Sequence, residues 1–459
     1  MDVEFKGRKV LVLGLGDTGL SMARWLARRG ARLRVADTRA EPPGAAALVR
    51  ELPGVTIERG PFHPGLFAGQ DLIALSPGID RREGALADAL KSGVPAAGDI
   101  ELFAQATRGM RSRVIAITGT NGKSTVTAMA GAMCHDAGLD TVVAGNIGLP
   151  VLDALAVVED GAAEPDVYVL ELSSFQLEST ASLAPDAATM LNLSEDHFDR
   201  YATMTDYAAA KARIFTGNGA QVLNRDDRRS RSMAQPGRAV STFGLGAPAG
   251  DAEWGVRTTR GVRVLAHGAH DLLAVDELPV TGLHNAANAL AAGALAAAAG
   301  VREAALARAL RGFKGLPHRA EKVTIINGIK FIDDSKGTNV GATVAALSGM
   351  TEPVVLIAGG DAKGQDLSPL AAAVAEHARA VVLIGRDADL VARALANCGV
   401  PLERARDMDE AVAMAFAASA PGCAVLLSPA CASYDMFRNY EHRAEVFVAA
   451  VHKLAEHRP

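Results

Sequence analysis

The residues with the clearest chemical capacity form a glycine-rich loop at 119–125, with the sequence GTNGKST. An apolar strand precedes this loop, and a helix is predicted to follow it at 126–133. Backbone N–H groups of such a turn, the dipole of the helix and the ammonium group of Lys123 all favour a bound phosphate. The hydroxyl group of Ser124 is placed to reach a magnesium ion. Because Ile117 stands where glycine is expected, the loop is a shortened relative of the Walker A loop.

A second glycine-rich loop lies near the start of the chain at 14–19, with the sequence GLGDTG. It follows an apolar strand, and Asp37 ends the next strand, as in the fingerprint of dinucleotide-binding proteins. Such a loop binds a diphosphate at the start of a helix, whatever nucleoside carries it. Taken alone, this segment fits a nicotinamide or flavin enzyme as well as a protein that binds another nucleotide. The turn at 76–78 ends a further strand and is either a plain turn or part of the same crevice.

Charged residues follow two predicted strands in the middle of the chain. Glu171 ends the first of these, where an acidic residue commonly supports the magnesium ion of a phosphate-loop enzyme. The second predicted strand, at 188–193, leads into the charged segment EDHFDRY, so we predict that His197 is functional. Lys211 lies among small residues of a predicted helix, where a confined site would remove its proton. An ordinary surface lysine is the alternative.

The last third of the chain repeats the pattern of an apolar strand followed by glycine or polar residues. Its strand ends are expected to gather Lys336, Thr338, Lys363, Ser433 and Tyr440. Because the carboxyl ends of parallel strands meet at one edge of a sheet, these side chains suit a small substrate that carries carboxylates. Earlier in the chain, Asn285 and Asn288 share one face of a predicted helix, where they either meet a nucleotide or cap and pack the helix.

The alternation of strands and helices predicts an α/β fold throughout. A chain of 459 residues has room for about three domains. We predict a Rossmann-like N-terminal domain over 1–108, a central domain with a parallel sheet of the phosphate-loop ATPase type over 109–315, and a Rossmann-like C-terminal domain over 316–459. Glycines and short alternating strands at 237–280 predict a small β insertion in the central domain, and residues 315–321 have the composition of an interdomain joint.

Composition limits the classes of partner. The formal net charge is -5, which argues against nucleic acid or an anionic membrane held by bulk charge. Four cysteines occur without a C-x-x-C pair, as is typical of reduced thiols in a cytosolic protein. The N-terminus has no apolar signal region, and the alanine-rich run at 286–299 is too short to span a bilayer. We therefore predict a soluble cytoplasmic protein without membrane insertion.

Short motifs occur in a fixed order along the whole chain. They are GTNGKST (119–125), AGNIG (144–148), ELSSFQL (171–177), EDHFDRY (195–201), HNAAN (284–288), PHR (317–319), DDSKGTN (333–339), GGDAK (359–363) and SPACASYD (428–435). With Lys211 between the fourth and fifth, this order resembles that of the Mur ligases, the ATP-dependent amide-forming enzymes of peptidoglycan precursor synthesis. The motifs ELSSFQL and SPACAS are specific to the D-glutamate-adding branch of that family, and the D-N-P-R motif of the diaminopimelate-adding branch is absent.

The resemblance implies an ATP-dependent ligase that adds D-glutamate to UDP-N-acetylmuramoyl-L-alanine through an acyl phosphate. It implies ATP as co-substrate, two magnesium ions as cofactors and a monomeric assembly. Lys123 would contact the ATP phosphates. Ser124 and Glu171 would serve one magnesium ion, and Glu171, His197 and a carbamylated Lys211 would serve the other. The catalytic set is therefore Lys123, Glu171, His197 and Lys211.

The resemblance also assigns the binding residues by position. ATP would be bound by Gly119, Thr120, Asn121, Gly122, Lys123, Ser124, Thr125, Asn285, Arg319 and Asp334. The UDP-linked substrate would be bound by Gly14, Leu15, Gly16, Asp17, Thr18, Asp37, Thr38, Arg39, Ser76, Pro77, Gly78 and Asn146. D-Glutamate would be bound by His197, Thr338, Lys363, Ser433, Tyr434 and Tyr440. The last two positions are often leucine and phenylalanine in this family, so both hydroxyl groups are departures from its pattern.

Two other functions remain open at the level of the residues themselves. The fingerprint from Gly14 to Asp37 fits an NAD-dependent oxidoreductase, but this function leaves the loop at 119–125 without a task. A non-catalytic nucleotide switch built on that loop would leave Lys363 and Ser433 without a task.

Overall fold

Three β-sheets follow one another along the chain in the computed structural model. The described residues are 5–82, 84–280 and 282–457. Apolar side chains cover both faces of each sheet, because alternate strand residues point to opposite sides; Val10, for example, enters one core and Leu11 another. The predicted α/β fold with three domains is thus confirmed. Among the described residues, no helix has the length and apolar character needed to traverse a lipid bilayer.

The first sheet has five parallel strands in the order β3-β2-β1-β4-β5. Its strands are β1 (Lys9–Leu13), β2 (Arg32–Asp37), β3 (Thr56–Arg59), β4 (Leu72–Leu75) and β5 (Ala96–Gly98). Its helices are α1 (Asp17–Arg28), α2 (Ala45–Glu51), α3 (Pro64–Phe67), α4 (Gly84–Lys91) and α5 (Asp99–Ala106). The strand order reverses direction between β1 and β4, where a crevice opens at the carboxyl ends of the strands.

The second sheet has nine strands in the order β14-β13-β12-β11-β10-β9-β6-β8-β7. Its strands are β6 (Arg113–Thr118), β7 (Thr141–Gly145), β8 (Val167–Glu171), β9 (Ala187–Met190), β10 (Ala220–Asn224), β11 (Val240–Phe243), β12 (Glu253–Thr259), β13 (Val262–His267) and β14 (His270–Ala274). Its helices are α6 (Lys123–Asp136), α7 (Val151–Glu159), α8 (Ser174–Glu178), α9 (Met204–Ala212), α10 (Arg228–Arg231), α11 (Leu283–Ala298) and α12 (Glu303–Gly312), with short 3-10 helices at Arg213–Phe215 and Val275–Glu277. Because β6 lies between β8 and β9, the segments that follow these three strands reach the same edge of the sheet.

Two elements of the second sheet differ from expectation. The strand predicted at 188–193 ends at Met190, because the chain then turns to hold the phosphate loop, where the Thr120 N–H donates to the Asn192 carbonyl at 2.9 Å. The predicted β insertion is present, but it is continuous with the main sheet. Strand β11 pairs in parallel with β10, and β12, β13 and β14 extend the sheet, the last two in antiparallel fashion.

The third sheet has six strands in the order β15-β16-β20-β17-β18-β19, all parallel except the first pair. Its strands are β15 (Glu321–Ile326), β16 (Ile329–Asp333), β17 (Val354–Gly359), β18 (Ala378–Ile384), β19 (Leu402–Arg404) and β20 (Ala424–Leu427). Its helices are α13 (Val340–Ser348), α14 (Leu370–His377), α15 (Ala388–Ala394), α16 (Met408–Ala417) and α17 (Tyr440–His457). The carboxyl ends of β16, β20 and β17 are neighbours, so the polar turns after them converge.

Charged side chains connect the first domain to the second. Arg29, the C-cap of α1, pairs with Glu159 at the end of α7 (2.8 Å), and Arg24 of α1 approaches Asp153 of α7 (3.6 Å). The indole N–H of Trp25 donates to Glu159 at 3.2 Å. The two helices therefore meet through guanidinium–carboxylate contacts.

The joint between the second and third domains is built from unusual backbone conformations. Gly315, His318 and Ala320 all have positive φ, at 83°, 60° and 49°. Left-handed conformations at residues other than glycine cost on the order of 1 kcal/mol each and persist only where surrounding contacts enforce them. The His318 ring supplies such a contact, since its Nδ1 lies 2.7 Å from a carboxylate oxygen of Asp333. The joint is thus a defined path rather than a loose linker.

Candidate functional site

The phosphate loop, residues 119–125, turns from β6 into α6 at two glycines with positive φ, Gly119 (156°) and Gly122 (83°). The positive φ favours glycine at Gly122, and a Cβ there would lie 2.6 Å from Oδ1 of Asn288, so the Asn288 side chain would have to move. Lys123 is the first residue of α6, three residues earlier than predicted, because Gly122 ends the turn as the N-cap. The free N–H groups of the first helical turn therefore face the loop.

Two lysine ammonium groups meet on one carbonyl oxygen of the phosphate loop. Lys123 donates to the carbonyls of Gly119 (3.0 Å) and Thr120 (2.8 Å), and Lys211 donates to the same Gly119 carbonyl at 2.8 Å. The Lys211 side chain is only 1% exposed. Burial, followed by the charge of Lys123, holds the pKa of Lys211 well below its ordinary value. The predicted loss of a proton from Lys211 therefore has a physical cause in this fold.

Glu171 lies at the end of β8, next to the strand that leads into the phosphate loop. Its Oε1 accepts a hydrogen bond from the amide of Asn146 (2.8 Å), whereas its Oε2 is buried and has no hydrogen-bond partner in the described part of the chain. A buried carboxylate oxygen without a hydrogen bond lowers the stability of the fold unless a cation or another donor reaches it. Asn146, predicted to touch the UDP-linked substrate, thus lies against a predicted metal ligand.

His197 follows β9 in a left-handed conformation, with φ of 59°. Its ring packs edge-on against Phe175, with 4.8 Å between the ring centroids, and its Nε2 lies 3.6 Å from Asp196. Burial lowers the pKa of His197; Asp196 opposes this, and the charges of Lys363 and two further lysines reinforce it. The imidazole is therefore neutral, which is the form that can ligate a metal ion. The Asp366 N–H, in the turn after β17, donates to Glu195 at 3.4 Å, so a turn of the third domain reaches this edge.

Arg319 also brings the third domain to the phosphate loop, and Asp334 lies beside it. The guanidinium of Arg319 donates to the hydroxyl oxygen of Ser124 at 2.7 Å. Asp334 accepts hydrogen bonds from the Ser428 hydroxyl (2.6 Å) and the Ala320 N–H (3.2 Å). Burial raises the pKa of Asp334 to about 7. Both residues line the cavity beside the phosphate loop, and their contacts with the nucleotide stay a prediction.

A cavity of about 360 Å³ opens beside the phosphate loop. Its lining includes Gly122, Thr125, Asn285, Asn288, Arg319 and Asp334. The Asn288 amide donates to Oδ1 of Asn285 at 3.2 Å, so the two asparagines share a helix face as predicted. The cavity connects α6, α11 and the joint, and its size is that of a small-molecule site.

Apart from His197, which follows β9, the predicted amino-acid-binding residues lie beside the carboxyl edge of the third sheet, and all but one of these are at least partly buried. Lys363 adopts a left-handed conformation (φ 50°) after β17, and Ser433 is buried in the turn after β20. The ring of Tyr440 lies under the ammonium group of Lys336, 3.5 Å from its centroid. Tyr434 is the exception, because its side chain is 73% exposed and lies outside this enclosed group. Thr338 directly precedes the N-cap of α13.

The fingerprint loop of the first domain is closed by its own side chains. The Ser76 hydroxyl donates to the Gly14 carbonyl at 2.8 Å, so the turns after β1 and β4 meet as predicted. Asp37 accepts from the Leu15 N–H (2.7 Å) and from the guanidinium of Arg39 (2.6 Å). Although burial opposes them, these hydrogen bonds lower the pKa of Asp37 to about 2. Of the other predicted residues of this site, Asp17 and Thr18 begin α1, and the same turns contain Gly16, Thr38, Pro77 and Gly78.

Both carboxylate oxygens of Asp37 are engaged within the loop, since Oδ1 also accepts from the Arg39 N–H at 2.9 Å. In NAD-binding proteins the equivalent acid hydrogen-bonds the ribose. Because both oxygens of Asp37 are already hydrogen-bonded, this arrangement disfavours the NAD interpretation. Asp37 instead stabilises the conformation of the loop.

Sequence analysis missed two buried residues that connect the turns of the site. Asn339, the N-cap of α13, donates to Oδ1 of Asn121 at 3.0 Å. Arg443 of α17 donates to the carbonyls of Ser335 (2.8 Å) and Cys431 (3.0 Å), and so joins the turns after β16 and β20. An arginine among apolar positions of a helix is a weak signal for Arg443, whereas an asparagine at an N-cap gives no signal of an interdomain contact.

Family profiles match three successive segments of the chain. They are "Mur ligase MurD-like, N-terminal domain" over 8–98, "Mur ligase middle domain" over 117–296 and "Mur ligase, glutamate ligase domain" over 318–431. A protein of Methylobacillus flagellatus named UDP-N-acetylmuramoylalanine--D-glutamate ligase is 59% identical over 452 residues, which cover 98% of each chain. The chain belongs to the Mur ligase family. It is an ATP-dependent ligase of that family, as the resemblance implied.

Further comparisons agree with this membership. A relative of the same name from Chromobacterium violaceum is 53% identical to this Mur ligase and covers 98% of each chain. The solved structure of UDP-N-acetylmuramate-alanine ligase from Thermotoga maritima matches with a TM-score of 0.61 at 20% identity, over 97% of this chain and 99% of that one. A pseudomurein peptide ligase type C from Methanothermus fervidus matches with a TM-score of 0.61 at 17% identity, over 98% and 100%. At such identities the two structures show the shared fold.

Proposed function

We propose that this Mur ligase joins the amine of D-glutamate to the L-alanyl carboxylate of UDP-N-acetylmuramoyl-L-alanine, with ATP as co-substrate, in peptidoglycan precursor synthesis. One observation carries the proposal. The buried Glu171, with its free Oε2, lies beside the strand that leads into the phosphate loop, and Arg319 of the third domain donates to Ser124 of that loop at 2.7 Å. The names of the relatives support the same substrates.

The chemistry needs activation of a carboxylate, which is a poor electrophile. Transfer of the γ-phosphoryl group of ATP to the carboxylate oxygen forms an acyl phosphate and releases ADP. Lys123 and the N–H groups of α6 stabilise the negative charge on the moving phosphoryl group. The amine of D-glutamate then attacks the carbonyl carbon, and the tetrahedral intermediate expels phosphate as the amide forms. The amine transfers its proton to solvent, because His197 serves as a ligand in this scheme.

The donor set fits two magnesium ions. The free Oε2 of Glu171 and the hydroxyl of Ser124 would hold the first ion, and Glu171, neutral His197 and a modified Lys211 would hold the second. Bound magnesium would neutralise charge on the transferring phosphoryl group. The orphaned carboxylate oxygen is the observation that supports this assignment.

We assign a carbamate to Lys211. A neutral amine is needed, because its lone pair forms a bond to the carbon of carbon dioxide while the amine loses a proton to solvent. Burial, and the crowding of two ammonium groups on the Gly119 carbonyl, favour the neutral form of Lys211. The product supplies the oxygen ligands that magnesium prefers and lysine lacks.

The remaining residues are assigned by the same proposal. ATP contacts fall to Gly119, Thr120, Asn121, Gly122, Ser124, Thr125, Asn285, Arg319 and Asp334, and D-glutamate contacts to His197, Thr338, Lys363, Ser433, Tyr434 and Tyr440. The turns after β1, β2 and β4, with Asn146, hold the UDP-linked substrate. Residues 1–108, 109–315 and 316–459 then act as the UDP-, ATP- and amino-acid-binding domains of a cytoplasmic monomer.

A substrate panel tests the proposed function. Purified enzyme is mixed with UDP-N-acetylmuramoyl-L-alanine, ATP, magnesium and one of several D- or L-amino acids, and phosphate release is measured. We expect release that requires both the UDP-linked substrate and D-glutamate. Release that proceeds without an amino acid, or fastest with another one, would contradict the proposal. A nicotinamide-dependent absorbance change would instead favour the oxidoreductase alternative.

A further inference from the structure

Asn339 lies where three segments of the site meet, and its side chain contacts all of them. Its Oδ1 accepts from the Ala342 N–H (2.9 Å), which caps α13, and from the Asn121 amide (3.2 Å). Its Nδ2 donates to Oδ1 of Asn121 (3.0 Å) and to Asp196 (3.3 Å). Asn339 is 4% exposed, so these contacts are made away from water. A reciprocal pair of amides therefore joins the phosphate loop to the third domain.

The backbone around this amide pair is held on both sides. The side-chain amide of Asn192 accepts from the Asn121 N–H at 2.9 Å and donates to the Asn121 carbonyl at 3.0 Å. On the other side, Gly341 lets the first turn of α13 approach closely. A Cβ placed on Gly341 would lie 3.1 Å from Nδ2 of Asn121 and 3.1 Å from Oγ of Ser194. The phosphate loop and α13 are therefore closely packed at this contact, and their side chains have little space to move.

Hydrogen bonds continue from α13 to the turns that carry the amino-acid site. The Val340 N–H donates to the side chain of Gln365 at 3.0 Å. The amide of Gln365 then donates to the carbonyls of Ala362 and Ala430, both at 3.1 Å. Ala362 directly precedes Lys363, and Ala430 lies in the turn that leads to the buried serine of that site. A continuous set of buried contacts thus runs from the phosphate loop to both turns.

We propose that Asn339 is a positioning residue that couples nucleotide binding at the phosphate loop to the affinity for the amino-acid substrate. The inference rests on the proposed function, since it takes the turns at Lys363 and Ser433 to be the amino-acid site. A nucleotide that orders the phosphate loop holds Asn121 in place, and the amide pair then holds the start of α13. Through Gln365, α13 in turn holds the two turns that carry Lys363 and Ser433. By reciprocity, the amino acid strengthens nucleotide binding by the same factor.

Two substitutions separate this role from a merely structural one. Asn339→Ser keeps a good N-cap for α13 but is too short to reach Asn121. Gly341→Ala favours the helix intrinsically while it crowds the contact with Asn121. The matched controls are Asp407→Ser, at the N-cap of α16, and Gly312→Ala, at the end of α12 where an added Cβ meets no atom within 4 Å.

The measurement is the affinity for a non-hydrolysable ATP analogue with magnesium and the UDP-linked substrate, with and without saturating D-glutamate. We expect the wild type and both controls to show the same enhancement by D-glutamate. In Asn339→Ser and Gly341→Ala the enhancement should fall by a factor of roughly 5 to 30, while the melting temperature of Gly341→Ala stays at or above that of the wild type.

The outcomes distinguish this inference from the proposed function. If the wild type shows no enhancement, or if both variants keep it in full, the coupling role of Asn339 is wrong. An equal fall in the two controls would likewise reject it, because it would indicate general loosening of the fold. If wild-type phosphate release does not depend on D-glutamate, the proposed function fails first, independently of the variants.

Discussion

Lys211 and Lys123 both donate to the Gly119 carbonyl oxygen. Two full positive charges this close together in a buried site repel each other. The conflict disappears when Lys211 carries a carbamate, because the side chain then bears a negative charge. From its small neighbours, sequence analysis left open whether Lys211 is a surface lysine or loses its proton in a confined site, and the role as a metal ligand came from the family resemblance. Sequence analysis could not predict the shared carbonyl, which depends on how α9 packs beside the phosphate loop.

Replacement of Lys211 tests its modification. We expect Lys211→Ala to lower turnover by about 100-fold or more, because the proposed magnesium ligand is lost. Added acetate or formate should restore part of the activity by occupying the vacated space as a carboxylate. The measurement is the rate of phosphate release with all three substrates.

Lys211→Arg is the matched control, since it keeps the positive charge but does not form a carbamate. It should remain inactive and should not respond to added carboxylate. Full activity in Lys211→Arg would contradict the carbamate, because it would show that a positive charge is sufficient at this position.

At the scale of elements, the fingerprint turn before α1 shows why two of its glycines have different tasks. A Cβ on Gly19 would lie 1.8 Å from the Gly14 carbonyl oxygen, whereas a Cβ on Gly16 would meet no atom within 4 Å. The spacing G-x-G-x-x-G predicted this turn, but it does not distinguish the two roles. Gly19 allows the helix to pack against the strand, and Gly16 leaves space for a ligand.

Alanine substitutions should separate these roles. Gly19→Ala should lower the free energy of unfolding by about 2–4 kcal/mol, since backbone atoms must move to relieve the overlap. Gly16→Ala should change it by less than about 0.5 kcal/mol yet weaken binding of the UDP-linked substrate. Denaturant unfolding and a binding titration measure the two effects. Equal stability losses in both variants would contradict this division.

Strand and helix types were predictable from apolar periodicity, and their ends less so. Strand β9 ends at Met190 because the next residues bind the phosphate loop, and α6 begins at Lys123 because Gly122 caps it. Both limits depend on contacts between segments rather than on the local pattern. The same holds for Asn121 and Asn339, which are 218 positions apart and resemble an ordinary loop residue and an ordinary helix cap.

At the scale of the whole molecule, α5 links the first two domains through two carboxylates with opposite properties. Asp99 is buried and accepts from the Gln176 amide at 3.0 Å; burial raises its pKa to about 6. Glu101 is also buried, but hydrogen bonds from the Ala181 and Ser182 N–H groups outweigh the burial and lower its pKa. Ionisation of the two residues therefore affects stability in opposite directions.

The pH dependence of stability should reveal Asp99. Because its pKa is higher in the folded protein than the ordinary value of about 3.9, folding binds a proton, and its contribution to stability falls as pH rises from about 4 to 6. Asp99→Asn should therefore raise the free energy of unfolding by about 1–3 kcal/mol at pH 8 and by little at pH 4. Thermal unfolding at a series of pH values measures this.

Glu101→Gln, in the same helix, should change the free energy of unfolding in the opposite direction to Asp99→Asn. Its lowered pKa means that the charged form stabilises the fold above the ordinary pKa, and that this contribution is lost on acidification. The substitution should cost about 1–3 kcal/mol at pH 8. A gain in stability from Glu101→Gln, or a loss from Asp99→Asn, would refute the assignment.

The second domain contacts the first domain through charged pairs and the third domain through an uncharged amide pair. Dissolved salt therefore weakens these two kinds of contact to different extents. The pairs between α1 and α7, such as Arg29 with Glu159, are partly open to solvent, where ions screen them over a Debye length of about 10 Å at 0.1 M. The amide pair of Asn121 and Asn339 has no net charge to screen. Rising ionic strength should therefore weaken the contact between the first and second domains first, while the amide pair between the second and third domains keeps its strength.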